Sequence, residues 1–380
     1  MSQPFLNRRS FLAATSTAAT VALLDQPILG QPLLANEAAN IPKLVWHDVT
    51  EWGVEGKGWH ETTRYFDRLP AKAKNLVRPA VWNLSRHSAG MLCRFETDAT
   101  TIHTRYELLS ASVAMAHMPA TGVSGIDLYV RDPQGLQRWV GVTRPTAKKV
   151  EATLANNLDP PVNGLRQFAI YLPLYNGVES LEIGVPEGAT LKSLSPREEK
   201  PLVFYGTSIM HGACASRPGM SITGIVGRRL NRPVINLGFS GNGRMEAEVA
   251  HLLAELDAEV YLIDCLPNIK GQQVAERTEP LVHILRKARP ETPIVLVEDR
   301  TYGNAHIYKS SRTRHAASRA ALAKAYKNLQ IEGVKNVHYL AGDLLLSNDD
   351  EATTDGSHPS DLGMAQYADA YQTMLKKILL

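Results

Sequence analysis

Leu202-Val203-Phe204-Tyr205-Gly206-Thr207-Ser208-Ile209-Met210-His211-Gly212 reads as a buried strand that runs into a tight turn and the start of a helix. Its four leading residues are apolar without alternation, as in a strand covered on both faces. The same pattern repeats downstream. Apolar runs at 234–237, 260–263, 294–297 and 337–340 alternate with helical stretches, clearest at 245–256, 278–288, 312–331 and 362–379. Leu252, Leu253 and Leu256 keep helical spacing. Five such strands predict an α/β fold, a doubly wound parallel sheet with helices on both faces. In that architecture ligands bind beyond the carboxyl ends of the strands.

Upstream the texture is β. Segments 91–97, 101–106, 136–140, 167–172 and 181–185 alternate apolar and polar residues, as half-buried strands do. Turns such as Asp132-Pro133-Gln134-Gly135 separate them. This predicts an all-β sandwich ahead of the α/β layer. The polar, Pro-flanked stretch 192–201 reads as the linker. A chain of 380 residues suits two domains. The expected division is a leader at 1–39, a β-sandwich at 40–198 and an α/β domain at 199–380.

The leader carries Asn7-Arg8-Arg9-Ser10-Phe11-Leu12 and then a short apolar, Ala-rich run, too short for an ordinary membrane-spanning helix. It reads as a twin-arginine export signal, which predicts a periplasmic or secreted protein. No later segment is long and apolar enough to span a membrane. The net charge is +3, and Lys and Arg are scattered, which argues against a nucleic-acid partner. Cys93, Cys214 and Cys265 form no Cys-x-x-Cys pair, and their odd number leaves at least one free thiol. No cluster with ligand spacing suggests a metal, and no cofactor is expected.

Four segments fall just after predicted strands, at the edge where a site is expected. In the first, Ser208 follows Gly206-Thr207 at a strand-to-helix turn, where a hydroxyl is exposed and amides can face a developing oxyanion. In the second, Asn236-Leu237-Gly238-Phe239-Ser240-Gly241-Asn242-Gly243, glycines let the backbone approach a substrate. The third, Asp264-Cys265-Leu266-Pro267-Asn268, presents an amide side chain. The fourth is Asp355-Gly356-Ser357-His358-Pro359. Asp355 can reach Nδ1 of His358 across three residues and leave Nε2 to take the Ser208 proton. Taken singly, each has a bland reading, Ser208 as a helix cap and Asp355 as a turn residue. Together and in order they point to a serine acyl-transfer site.

This set resembles the SGNH (GDSL-like) hydrolases, whose blocks place Ser, Gly, Asn and His around one site with an Asp three residues before the His. The resemblance implies the flavodoxin-like SGNH fold and a carboxylic ester hydrolase with Ser208, Asp355 and His358 as triad. It also implies that Gly241 and Asn268 join the Ser208 amide as oxyanion donors. Thr207 departs from the block, since Asp is common there. Gly125-Ile126-Asp127-Leu128-Tyr129 looks like the Gly-x-Asp-Leu-Tyr signature of the domain that precedes one bacterial SGNH group. That likeness implies a small-molecule or glycan ester substrate with short acyl groups, acetyl foremost.

Lesser candidates are His117 in a sandwich loop, the loop 86–90, and Arg217, which could grip a substrate oxygen or form an interdomain ion pair. Glu298-Asp299 are adjacent and so poorly placed to flank one sugar as a glycosidase pair. An acyltransferase sharing the acyl-enzyme and a catalytically silent glycan-binding protein are the alternative functions. No Gly-x-Ser-x-Gly elbow surrounds Ser208 or Ser240, which disfavours an α/β-hydrolase.

Overall fold

The computed structural model describes residues 43–379; the export signal read at 1–39, with Arg8 and Arg9, lies outside the described residues. Two antiparallel sheets face each other in the first part. One orders β1 (Leu44–Asp48), β8 (Val178–Pro186), β3 (Ile102–Leu108) and β6 (Lys149–Ala155). The other orders β5 (Gln137–Val142), β4 (Asp127–Arg131), β7 (Arg166–Tyr171), β2 (Leu92–Thr97) and β9 (Leu191–Leu194). The period-2 pattern sets the facing: Ile102, Thr104, Tyr106 and Leu108 of β3 are buried, and the residues between them are not. Phe95, Leu128, Phe168, Ile170, Leu181 and Ile183 fill the space between the sheets.

The stretch read as a linker begins inside β9, which pairs antiparallel with β2 from Arg94↔Leu194 to Thr97↔Leu191. An edge strand has one unpaired side in water and carries polar residues, here Lys192 and Ser193, so its composition looks like a loop. The first part is also not purely β. Residues 56–90 include α1 (Pro79–Ser85), and Leu69, Ala73, Val77, Val81 and Trp82 pack into the core of the second layer with Val249 and Leu253. A short helix, α2 (Ala120–Val123), follows the 109–118 loop.

In the second part the order is β11 (Val234–Gly238), β10 (Leu202–Gly206), β12 (Val260–Asp264), β13 (Ile294–Val297) and β14 (Val337–Leu340), all parallel. Successive residues serve opposite faces. Leu202 and Phe204 join the core beneath α4 (Ile222–Leu230) and α8 (Asp361–Ile378). Val203 and Tyr205 join the core beneath α5 (Ala247–Glu255), α6 (Gly271–Ala288) and α7 (Lys309–Ile331). α3 (Ser208–His211) is a single turn after β10. α4 escapes the sequence reading because Gly224 and Gly227 interrupt its apolar period. α6 begins seven residues earlier than expected because its first turn, Gly271-Gln272-Gln273, is polar.

The two layers are joined through the Gly-x-Asp-Leu-Tyr segment. Buried Asp127 accepts hydrogen bonds from Trp139 Nε1 (2.8 Å), Arg217 Nη1 (2.9 Å) and the Gly219 N–H (2.8 Å). Burial pushes its carboxyl up, and the Arg217 charge opposes that. Tyr129 OH also accepts from Arg217. No helix of the described residues is long and apolar enough to cross a membrane.

Candidate active site

The order β11-β10-β12 puts the turns after these strands side by side at one sheet edge, where connections diverge to either side of β10. Gly206 lies in register with Gly238 on one side and Asp264 on the other. Close packing holds the first two turns together. A Cβ on Gly243 would lie 1.9 Å from the Gly206 carbonyl oxygen, so only glycine fits. Thr207 is buried and caps α3, its Oγ1 accepting from the Ile209 N–H at 3.3 Å. Ser208 is thereby fixed at the first position of that helix.

Ser208 Oγ lies 2.8 Å from His358 Nε2, and His358 Nδ1 lies 2.8 Å from Asp355 Oδ2. Asp355 Oδ1 accepts from the N–H groups of Ser357 (3.0 Å) and His358 (2.7 Å). Burial raises the Asp355 carboxyl, but the His358 N–H, the imidazole and the Ser357 N–H outweigh it and hold it at about 2. The carboxylate is therefore ionised at neutral pH and keeps the proton on Nδ1, which leaves Nε2 as the acceptor facing Ser208.

Asn268 ends a 3-10 turn, Leu266–Asn268, after β12. Its Oδ1 is buried and has no partner among the described residues, so that end of the amide does not hold the turn. Gly241 sits in the turn after β11 at φ +69°, with open space where a Cβ would be.

A GDSL-like lipase structure from Bacteroides ovatus ATCC 8483 is 31% identical over 89% of this chain and 98% of that one, with a TM-score of 0.84. The chain belongs to the SGNH (GDSL-like) lipase/acylhydrolase family. Residues 199–376 match the GDSL-like lipase/acylhydrolase family, and residues 44–191 match the N-terminus of SGNH-hydrolase-type esterases. A salicylyl-acyltransferase from a tetracycline biosynthetic pathway shares the fold at 19% identity, covering 90% of this chain and 99% of that one, with a TM-score of 0.66. An acetyl xylan esterase from Butyrivibrio proteoclasticus does so at 10% identity, covering 88% and 99%, with a TM-score of 0.55. No curated protein sequence matches the chain. As an SGNH hydrolase it is a carboxylic ester hydrolase.

The other candidates divide. His117 is exposed on the SGNH hydrolase's 109–118 loop, and its ring centroid is 6.2 Å from that of His358. Arg217 is instead engaged with Asp127 and Tyr129 and lies against the Trp139 ring at 5.1 Å, the ion-pair alternative for this residue. Glu298 and Asp299 point to different partners: Glu298 accepts from Tyr339 OH and the Gly342 N–H, and Asp299 pairs with Arg300.

The 86–90 loop meets the catalytic layer from below. Half-buried His87 places Nδ1 3.4 Å from Nε2 of His211, the last residue of α3. Desolvation, with the nearby Arg68 charge, lowers His87 to about 3 and also lowers His211, so both are neutral. Arg68 is fully buried, and desolvation lowers it to about 9. It donates to the carbonyls of Leu84, His87, Asn236 and Gly238 at 2.7–3.0 Å. Tyr175 stacks on His211 at 4.2 Å and donates its OH to the Ser208 carbonyl at 3.3 Å. These supports escape the sequence reading, since Arg68, Tyr175 and His211 have no common spacing; only the buried strand ends they brace hint at them.

Proposed function

We propose that Ser208 is the nucleophile of an esterase that removes short acyl groups, acetyl foremost, from carbohydrate. The observation that carries the catalytic part is the unbroken chain Asp355–His358–Ser208, with both side-chain contacts at 2.8 Å. Oγ attacks the acyl carbon while Nε2 takes its proton. The Ser208 and Gly241 N–H groups and the Asn268 amide receive the charge that develops on the carbonyl oxygen. His358 returns the proton to the departing alcohol, and water, deprotonated by the same nitrogen, releases the acid. Asp355 orients His358 and stabilises its cationic form.

The carbohydrate alcohol and the acetyl group are supported by the shared architecture with the acetyl xylan esterase and by the sandwich loop that brings His117 beside His358. His117 is a substrate-contacting residue on this reading. Acetate release should be measured on acetylated xylo- and gluco-oligosaccharides beside aryl esters of two to eight carbons. Fast deacetylation with falling rates on longer chains is expected; rates that rise toward octanoyl contradict it. The acyltransferase fold relative motivates one further arm, in which added sugar acceptors compete with water for the acyl-enzyme. Export through Arg8 and Arg9 belongs to the same proposal: changing both to Lys should leave the precursor in the cytoplasm, and unchanged export contradicts it.

A further inference from the structure

Behind the turns that carry Asn268 and His358 lies a cationic cluster with no direct part in the reaction above. Arg300, three residues beyond β13, is fully buried. Its Nε and Nη2 donate to the Ser357 carbonyl at 3.0 and 2.7 Å, Nη2 also reaches Ser357 Oγ, and Nη1 pairs with Asp299. Ser357 stands immediately before His358. Arg314, in α7, donates Nη2 to the Pro267 carbonyl at 2.5 Å and Nη1 to Tyr302 OH. Pro267 stands immediately before Asn268. The half-buried ring of Tyr302 lies 4.7 Å from the Arg300 guanidinium and 5.7 Å from that of Arg314, with the His315 ring edge-on at 4.4 Å. The Gly303 N–H donates to the Gly356 carbonyl at 3.0 Å, tying the Tyr302 loop to the His358 turn directly.

We propose that Arg300, Tyr302 and Arg314 form a clamp of positioning residues that holds the Asn268 turn and the Asp355–His358 turn in one register about Ser208. The inference rests on the assignment of Ser208, Asn268 and His358 given above. Each arginine holds a main-chain carbonyl one residue before a reacting group, so it fixes backbone position there. Asp299 balances the Arg300 charge, whereas among the described residues Arg314 hydrogen-bonds to two neutral groups, Tyr302 OH and the Pro267 carbonyl. Placement of the two turns is what these contacts share. A displacement of about 1 Å at a reacting group costs up to about 10²-fold in rate.

The test is a set of double-mutant cycles on ester turnover in the full chain. Arg314→Met should lower kcat about 10- to 100-fold with little change in KM, by the same misplacement argument. In an Asn268→Ala background it should cost almost nothing more, because it acts through that amide. Arg314→Lys should recover part of the rate. Tyr302→Phe keeps the ring and removes only the anchor for Arg314, so it serves the same cycle if Arg314→Met does not fold. Full kcat in folded Arg314→Met and Tyr302→Phe overturns the clamp, as does a loss that multiplies with that of Asn268→Ala, or one confined to KM. The two levels separate cleanly: activity retained in Ser208→Ala defeats the underlying assignment, whereas impaired Ser208→Ala and Asn268→Ala with a normal Arg314→Met defeats the clamp alone.

Discussion

Asp355→Asn isolates the contribution of one carboxylate, because its structural contacts can survive the change. Oδ1 would still accept the N–H groups of Ser357 and His358, so the turn should fold. At the other oxygen the amide offers N–H where His358 Nδ1 carries its own proton. The imidazole escapes that clash by moving its proton to Nε2, which can then no longer accept from Ser208. Restoring the productive tautomer breaks a hydrogen bond and costs about 1–3 kcal/mol. The substitution also removes the charge that steadies the imidazolium. For charge centres about 4 Å apart this is ~4 kcal/mol at an effective dielectric constant of 20. The Asp355 side chain is 46% exposed, so about half of that survives solvent screening. The sum of about 3–5 kcal/mol corresponds to a loss of roughly 10²–10⁴-fold in kcat. Initial rates on an aryl acetate, with thermal unfolding as the control for folding, measure it. Activity should recover toward alkaline pH as hydroxide substitutes for the disabled base. In the unaltered protein Asp355 titrates near 2, so its protonation is not the source of any acid limb above about pH 3. A folded Asp355→Asn that keeps kcat within about threefold would show the carboxylate to be a turn residue only, against the loss worked out above.

Asn268→Ala should leave folding and KM nearly unchanged and lower kcat about 10²–10³-fold, as removal of one oxyanion donor does; steady-state kinetics decide, and full kcat refutes the assignment. Asp264 is buried beside Tyr371 OH (2.7 Å), and desolvation raises its carboxyl to about 7. Its folded-state value is above the unfolded one, so its favourable contribution is complete below about pH 4 and is lost as pH rises through about 7. Asp264→Asn should therefore raise the unfolding temperature at pH 8 and change it little at pH 4; an equal shift at both pH values contradicts the buried-acid reading. Gly243→Ala forces a Cβ against the Gly206 carbonyl and should destabilise the protein by about 2–3 kcal/mol, measured by denaturant unfolding. A neutral outcome would mean the two turns are not locked together.

The five parallel strands were legible because each is a short apolar run, and the ends of the first three located the Ser208, Gly241 and Asn268 segments, while the Asp355–His358 segment stands just ahead of α8. Ser208, Asp355 and His358 were legible because Asp-x-x-His is a local pattern and the serine follows a strand. Edge strand β9 was not, since solvent on one side gives it loop-like composition. The Asp127–Tyr129 signature could be read as a motif, but its work is done by Arg217, ninety residues away in the second layer. The arginines at 68, 300 and 314 were invisible for the same reason. Their partners are main-chain carbonyls, which leave no complementary residue in the sequence.

The central claim is that Ser208 forms the covalent intermediate. Treating the folded protein with a fluorophosphonate and mapping the adduct by peptide mass spectrometry tests it most directly. One equivalent on the Ser208 peptide, with esterase activity lost in proportion and no labelling of Ser208→Ala, is the expected result. An adduct on Ser240, or labelling and activity that persist in Ser208→Ala, would contradict the account.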